Sequence, residues 1–363
     1  MHRSETTKRL GQIGVAGGHN RRYGPSAIVP DKLHVRLALG ANMGVQKRKH
    51  SVIAIGLVAI VASFGPVPAM AQSDQQTKWC EGKDGASPDQ MISGCTAMIQ
   101  SGKFADRNLA LVLNNRGNAY SDKGQLDQAI QDYDQAIRLD PTGARAFNNR
   151  GLAYQEKGEL DRAIQDFDQA IRLTPNYAKA LYNRGIAHHD KGALDRATQD
   201  FDQAIRLDPR FAPAFYNRGV VHSDKRQYDR AIQDYDEAIR LDPTDAKAFN
   251  NRGLAYQEKS QQDRAIRDFD QAIRLDPTDA RHFNNRGNAY NTKRQYDRAI
   301  QDYDEAIRLD PKAATPFNNR GKAYDAKRQY DRAIQDYDQA IRLDPNLTLA
   351  IDNRARSVAK MKQ

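Results

Sequence analysis

Asn114-Asn115-Arg116-Gly117 decides how this chain is read, because a version of it returns every 34 residues without slippage. Its glycines are Gly117, Gly151, Gly185, Gly219, Gly253, Gly287 and Gly321. Around each glycine the frame is constant. An aromatic residue or Leu stands four before it, Tyr or His three after, Ala twelve and nineteen after, Tyr or Phe sixteen after, and Pro twenty-four after. In the first repeat these are Leu113, Tyr120, Ala129, Ala136, Tyr133 and Pro141.

The frame predicts two amphipathic helices per repeat, roughly 111–123 and 127–139 in the first. Ala129, Ile130, Tyr133, Ala136 and Ile137 share one helical face, and a Lys-Gly or Lys-Arg turn separates the two segments. One such pair cannot bury its apolar face alone, so the core becomes continuous only when repeats stack. Asp127 and its equivalents open the second helix and Arg138 and its equivalents close it, as the macrodipole favours. Asp134 stands four residues before Arg138, a spacing that predicts a local ion pair.

The period and the small/aromatic/Pro pattern resemble the tetratricopeptide repeat (TPR), here of an exported bacterial type. The resemblance covers seven full repeats, 110–347. It implies an all-α, right-handed TPR solenoid of antiparallel helix pairs, with capping elements at both ends. It also implies a scaffold that holds a protein or peptide partner in the concave groove lined by the first helices.

The chain carries a formal charge of +10, which alone suggests nucleic acid or an anionic surface. The charge is unevenly placed. Residues 1–71 hold ten Lys/Arg against two acids, Glu5 and Asp31, while the remainder holds 46 basic and 44 acidic groups. Lys47-Arg48-Lys49-His50 precedes an apolar run from Val52 to Phe64, followed by Ala69-Met70-Ala71. This reads as a signal peptide, 43–71, cleaved before Gln72. The run is short for a bilayer span of about 20 residues, and a retained inner-membrane anchor is the alternative. Residues 1–42 form a basic leader without periodicity, and translation is expected to start at Met43. The mature protein is expected in the periplasm or outside the cell.

The two cysteines, Cys80 and Cys95, both follow the expected cleavage site. An oxidising compartment favours a bridge between them; two free buried thiols is the alternative, and no His or second Cys pair lies near enough to suggest a metal. Residues 72–109 read as an amino-terminal cap with a half-repeat over 80–101, in which Cys95 takes the aromatic position. Residues 348–363 repeat only the first helix, with Ala355 in place of the glycine, and read as a carboxyl-terminal capping helix.

One departure from the TPR frame is systematic. The frame prefers Leu before the glycine, and here every repeat has Arg: Arg116, Arg150, Arg184, Arg218, Arg252, Arg286 and Arg320. Asp132, Asp166, Asp200, Asp234, Asp268, Asp302 and Asp336 recur as strictly, which predicts a helix-bridging Arg/Asp ladder; an anion-binding stripe is the rival reading.

The candidate binding feature is the Asn column beside those arginines: Asn115, Asn149, Asn183, Asn217, Asn251, Asn285, Asn319 and Asn353. Its position resembles the ladder by which the repeats of O-linked N-acetylglucosamine transferase hold an extended peptide backbone. A carboxamide offers donors and an acceptor, as a peptide unit does. Helices about 8–10 Å apart and a strand rise of about 3.3 Å would bring one rung to every third peptide residue. The structural alternative is that these Asn orient the neighbouring Arg. The mature chain is nearly neutral and its aromatics fall on the core face, which argues against nucleic acid.

No nucleophile elbow, phosphate-binding Gly loop or zinc spacing is present, so no enzyme activity, cofactor or metal is expected. His188, His189 and His222 with Asp190 and Asp224 form one unusual cluster, and His188 and His222 read as substituted core aromatics. The expected function is a non-catalytic scaffold for a protein or peptide, with a membrane role only if the apolar run is retained. A membrane-anchored envelope assembly factor and a self-associating structural protein are the alternatives, and the oligomeric state stays open.

Overall fold

A computed structural model describes residues 69–363. The expected leader and the apolar run lie outside the described residues; Ala69–Ala71, the last three residues of the expected signal peptide, open the first helix. Every element among the described residues is helical. They fall into two compact bodies, 69–207 and 208–363, each built from consecutive helix pairs.

The first body contains α1 (Ala69–Cys80), a short 3-10 turn (Lys83–Gly85), α2 (Pro88–Gln100), α3 (Asp106–Asp122), α4 (Leu126–Leu139), α5 (Ala144–Glu156), α6 (Leu160–Leu173), α7 (Ala178–Asp190) and α8 (Leu194–Leu207). The second contains α9 (Ala212–Asp224), α10 (Tyr228–Leu241), α11 (Ala246–Glu258), α12 (Gln262–Leu275), α13 (Ala280–Thr292), α14 (Tyr296–Leu309), α15 (Ala314–Ala326), α16 (Tyr330–Leu343) and α17 (Thr348–Met361). From α3 onward, odd-numbered helices are the first of each pair and even-numbered helices the second. Helix α3 starts five residues before the predicted 111, because a plain Ala105 cap precedes it rather than the Asp-Pro turn found between later repeats.

The pattern glycine lets the two helices of a pair close on each other. A β-carbon on Gly151 would stand 2.7 Å from Cε1 of Phe167, and one on Gly321 2.7 Å from Cε1 of Tyr337. The ring sixteen residues on therefore packs directly against bare backbone. Ala163, Phe167 and Ala170 are all fully buried, and Leu152, Tyr154 and Ala187 join Ala163 and Phe167 in one core cluster that spans α5, α6 and α7.

Each pair turns through a Schellman motif. Gly124 N–H donates to Ser121 O at 2.8 Å and Gln125 N–H to Tyr120 O at 2.9 Å, with Gly124 in the left-handed region at φ 69°. Most successive pairs are joined by an Asx turn, in which Asp140 Oδ1 accepts from Thr142 N–H at 3.1 Å and from Thr142 Oγ1 at 2.6 Å; between α6 and α7, Thr174 takes the place of the Asp.

Ahead of α3, helices α1 and α2 pack on each other. The sulfurs of Cys80 and Cys95 stand at bonding distance, 2.02 Å, with Cα atoms 4.6 Å apart. Both residues are fully buried against Met98 and Val112. Ser87 and Gln90 form a reciprocal capping box at the start of α2.

Candidate functional site

Arg150 sits in α5 between three elements. Its Nε and Nη2 donate to the two carboxylate oxygens of Asp166 at 2.8 and 2.7 Å, and its Nη1 donates to Asp134 of the preceding pair at 2.6 Å. Its guanidinium also lies 5.6 and 5.8 Å from the ring centres of Phe147 and Tyr154. The same three-point grip recurs at Arg184 in the first body and at Arg252, Arg286 and Arg320 in the second. Arg116 replaces the third contact with Thr96 Oγ1 at 3.2 Å. The expected ladder is thus both within repeats and between them, and the anion-binding stripe has its donors already engaged. Burial pushes the Asp166 carboxyl above the usual range, while the Arg150 hydrogen bonds and charge pull it back down.

The local ion pair predicted between Asp134 and Arg138 does not form. Asp134 is taken by Arg150, and equivalents of Arg138 turn to the residue three before them, as Arg172 does to Gln169 Oε1 at 3.0 Å and Arg308 to Glu305 at 2.9 Å. A carboxylate facing the next helix meets the half-buried guanidinium of Arg150 there, whereas the i,i+4 partner is exposed.

The Asn column is organised by a bond that neither of its sequence readings anticipates. In the first body, Asn149 Nδ2 donates to Asn114 Oδ1 at 3.1 Å and to Asn118 Oδ1 at 3.0 Å, and Asn183 Nδ2 donates to Asn148 Oδ1 at 3.0 Å. In the second, Asn251 donates to Tyr216 Oη at 3.0 Å, Asn285 to Asn250 at 3.0 Å, Asn319 to Asn284 at 3.0 Å and Asn353 to Asn318 at 2.9 Å. Each rung reaches 35 residues back and ties one first helix to the preceding one. Asn217 instead donates to the backbone of Pro213 at 3.0 Å. Asn149, Asn183 and Asn217 are buried; Asn115, Asn251, Asn285, Asn319 and Asn353 keep one side open. None of these bonds meets the Arg that follows in sequence; Asn353 Oδ1 separately accepts from Arg356 Nη2 at 2.7 Å.

Family models described as tetratricopeptide repeats match residues 117–158, 153–192, 224–260 and 287–327; a second such model matches 178–211, 246–279 and 314–347, and a third 201–233 and 269–301. The chain belongs to the tetratricopeptide repeat family. The fold is likewise similar to solved TPR structures. A TPR protein from Parabacteroides merdae is 21% identical, with 69% of this chain and 98% of that chain covered and a TM-score of 0.54. The Cut9–Hcn1 assembly of the APC/C is 18% identical, with 79% and 55% covered and a TM-score of 0.56. Pseudomonas aeruginosa pilF is 21% identical, with 59% and 97% covered and a TM-score of 0.52. No curated protein matches the sequence.

Within the TPR frame, the two substituted aromatics behave as core residues. His188 and His222 are buried, with Nε2 3.8 Å from Asp200 in the first body and 3.7 Å from Asp234 in the second. His222 Nδ1 also meets Gln227 Oε1 at 2.9 Å. Burial holds both imidazoles below their usual pKa against the pull of the carboxylates. TPR stacks present extended surfaces to protein partners, and no helix among the described residues is long and apolar enough to cross a membrane.

Proposed function

We propose that this protein is a non-catalytic scaffold that holds an extended peptide, or an extended segment of a partner protein, along the first helices of its TPRs. One observation supports the reading above others. Asn251, Asn285, Asn319 and Asn353 each spend one amide N–H on the preceding helix and stay half-open, which leaves the second N–H of every carboxamide for a ligand. The inter-helix bond also holds each rotamer in advance, so a ligand meets donors that lose little entropy on binding. Asn149 and Asn183 are too buried to serve in this way and act as structural rungs, Asn217 is buried against its own helix, and Asn115 begins the column.

The buried Cys80–Cys95 pair supports export to an oxidising compartment, the periplasm or the cell exterior. Amino-terminal sequencing of the native protein separates cleavage after Ala71 from a retained anchor.

The test of binding is a peptide selected from a displayed random library on the full chain, then titrated against the Asn251→Ala, Asn285→Ala, Asn319→Ala triple variant. A lost hydrogen bond is worth about 0.5–1.5 kcal/mol, so affinity should drop by one to a few powers of ten. Unchanged affinity in a folded triple variant would remove the Asn rungs from the binding surface.

A further inference from the structure

The junction between α12 and α13 differs from the others at one core position. The third residue of the first helix is a buried Ala at 146, 180, 214, 248 and 350, and a buried Pro at 316. At this junction it is His282, a much larger polar group, 2% exposed. Its Nδ1 lies 3.1 Å from Asn250 Oδ1. That atom is the carboxamide oxygen, since it also accepts from Asn285 Nδ2 at 3.0 Å while Asn250 Nδ2 donates to Asn251. The ring proton therefore sits on Nδ1, and Nε2 presents a lone pair. Nε2 is buried and makes no hydrogen bond. It faces Asp279 Oδ2 at 3.8 Å, and Asp276 completes the cluster, with donor atoms of all three residues within 4.8 Å of one another.

We propose that Asp276, Asp279 and His282 form a binding site for a divalent transition-metal ion of the zinc type. Two carboxylates and one neutral imidazole are a donor set for zinc, with water completing the tetrahedron, and the imidazole disfavours magnesium and calcium. Zinc bonds of about 2.0–2.2 Å put ligand atoms roughly 3.4 Å apart, a closing movement within reach of two Asp side chains at the rim of α12 and α13. Asn250 is the outer partner that sets the tautomer and aims Nε2. Arg281 lies on Asp279, Nη2 to Oδ2 2.5 Å, and its side chain is largely exposed, so it can leave for solvent when a dication enters. The chain carries its own control. Asp242 and Asp245 repeat the two acids one TPR earlier, but Ala248 stands where the imidazole would be.

The test is zinc titration of the untagged, chelator-stripped full chain by calorimetry, with cobalt absorption as a second readout of coordination. One ion per chain is expected at micromolar affinity or better, weakened by at least about 100-fold in His282→Ala and by about 10–100-fold in Asn250→Ala. His282→Ala installs the side chain that the equivalent positions already carry, and other histidines are common to both proteins. Asp276→Asn, on the solvent side, repeats the test without touching the core and should also lose the ion. Absence of saturable binding below about 100 μM, or binding that survives both His282→Ala and Asp276→Asn, overturns the proposal.

Discussion

Arg150 leaves its own repeat to reach Asp134, donating Nη1 to Oδ1 at 2.6 Å across sixteen residues of sequence. Its other two donors are fixed on Asp166. A residue type that usually sits at a protein's surface thus works here as the rivet between three helices, in a position where the TPR frame has Leu.

Removing this rivet should be far worse than removing its outer partner. Arg150→Ala strips Asp166, whose side chain is 9% exposed, of both its donors, and breaking such a buried pair costs about 3 kcal/mol. Asp134→Ala removes a partner that is 36% exposed and should cost under about 1 kcal/mol. Replacing Arg150 and Asp166 together with apolar residues should recover most of the loss. Urea unfolding of the three variants checks the order, and an Asp134→Ala loss equal to that of Arg150→Ala would contradict it.

The turns between paired helices should accept glycine at a gain. Arg226, Ser260, Arg294 and Arg328 stand at φ between 56° and 60°, where Gly158 and Gly192 occupy the equivalent positions of earlier repeats. Left-handed backbone costs an L-residue about 1–2 kcal/mol, offset in part by the freedom glycine adds to the unfolded chain. Arg294→Gly is therefore expected to stabilise by about 0.5–1 kcal/mol, read as a small rise in Tm. A fall would mean that the Arg294 side chain contributes more than its backbone costs.

Stability should rise with pH through the histidine range. His188, His222 and His282 are buried and held below the ordinary value of about 6.5. Depressed histidines bind fewer protons folded than unfolded, so their contribution is complete above about pH 6.5 and is lost as pH falls. Asp200 and Arg184 face His188, Asp234 and Arg218 face His222, and Asp279, Asp276 and Arg281 face His282. Denaturant midpoints at pH 7.5 and 5.5 should differ more in the parent than in His282→Ala. Equal differences would place the effect elsewhere.

Loss of the cysteine pair should loosen the amino end first. A loop closed over 15 residues contributes about 3 kcal/mol in the chain-entropy model. In Cys95→Ser, hydrogen exchange of α1 and α2 should accelerate while α5 to α8 change little. Uniform acceleration across the first body would show instead that the cap and the repeats unfold as one.

The repeat itself was legible because it depends on local chemistry. Gly151 leaves room for Phe167, Asp127 and Arg138 suit the two ends of one helix, and the left-handed turn calls for Gly124, all within a few turns of chain. Which polar groups would meet across repeats was not legible, since that depends on how one helix is rotated against the next. Asp134 could face Arg138 or Arg150 by spacing alone, and Asn285 could face a ligand or Asn250; packing sent them to Arg150 and Asn250. The one signal available in advance was His282, an imidazole in a column of otherwise apolar residues. Asp276 and Asp279 lie close by in sequence, but only the tertiary structure showed the ring buried with Nδ1 on Asn250 and no partner for Nε2, because that depends on how α13 packs on α11.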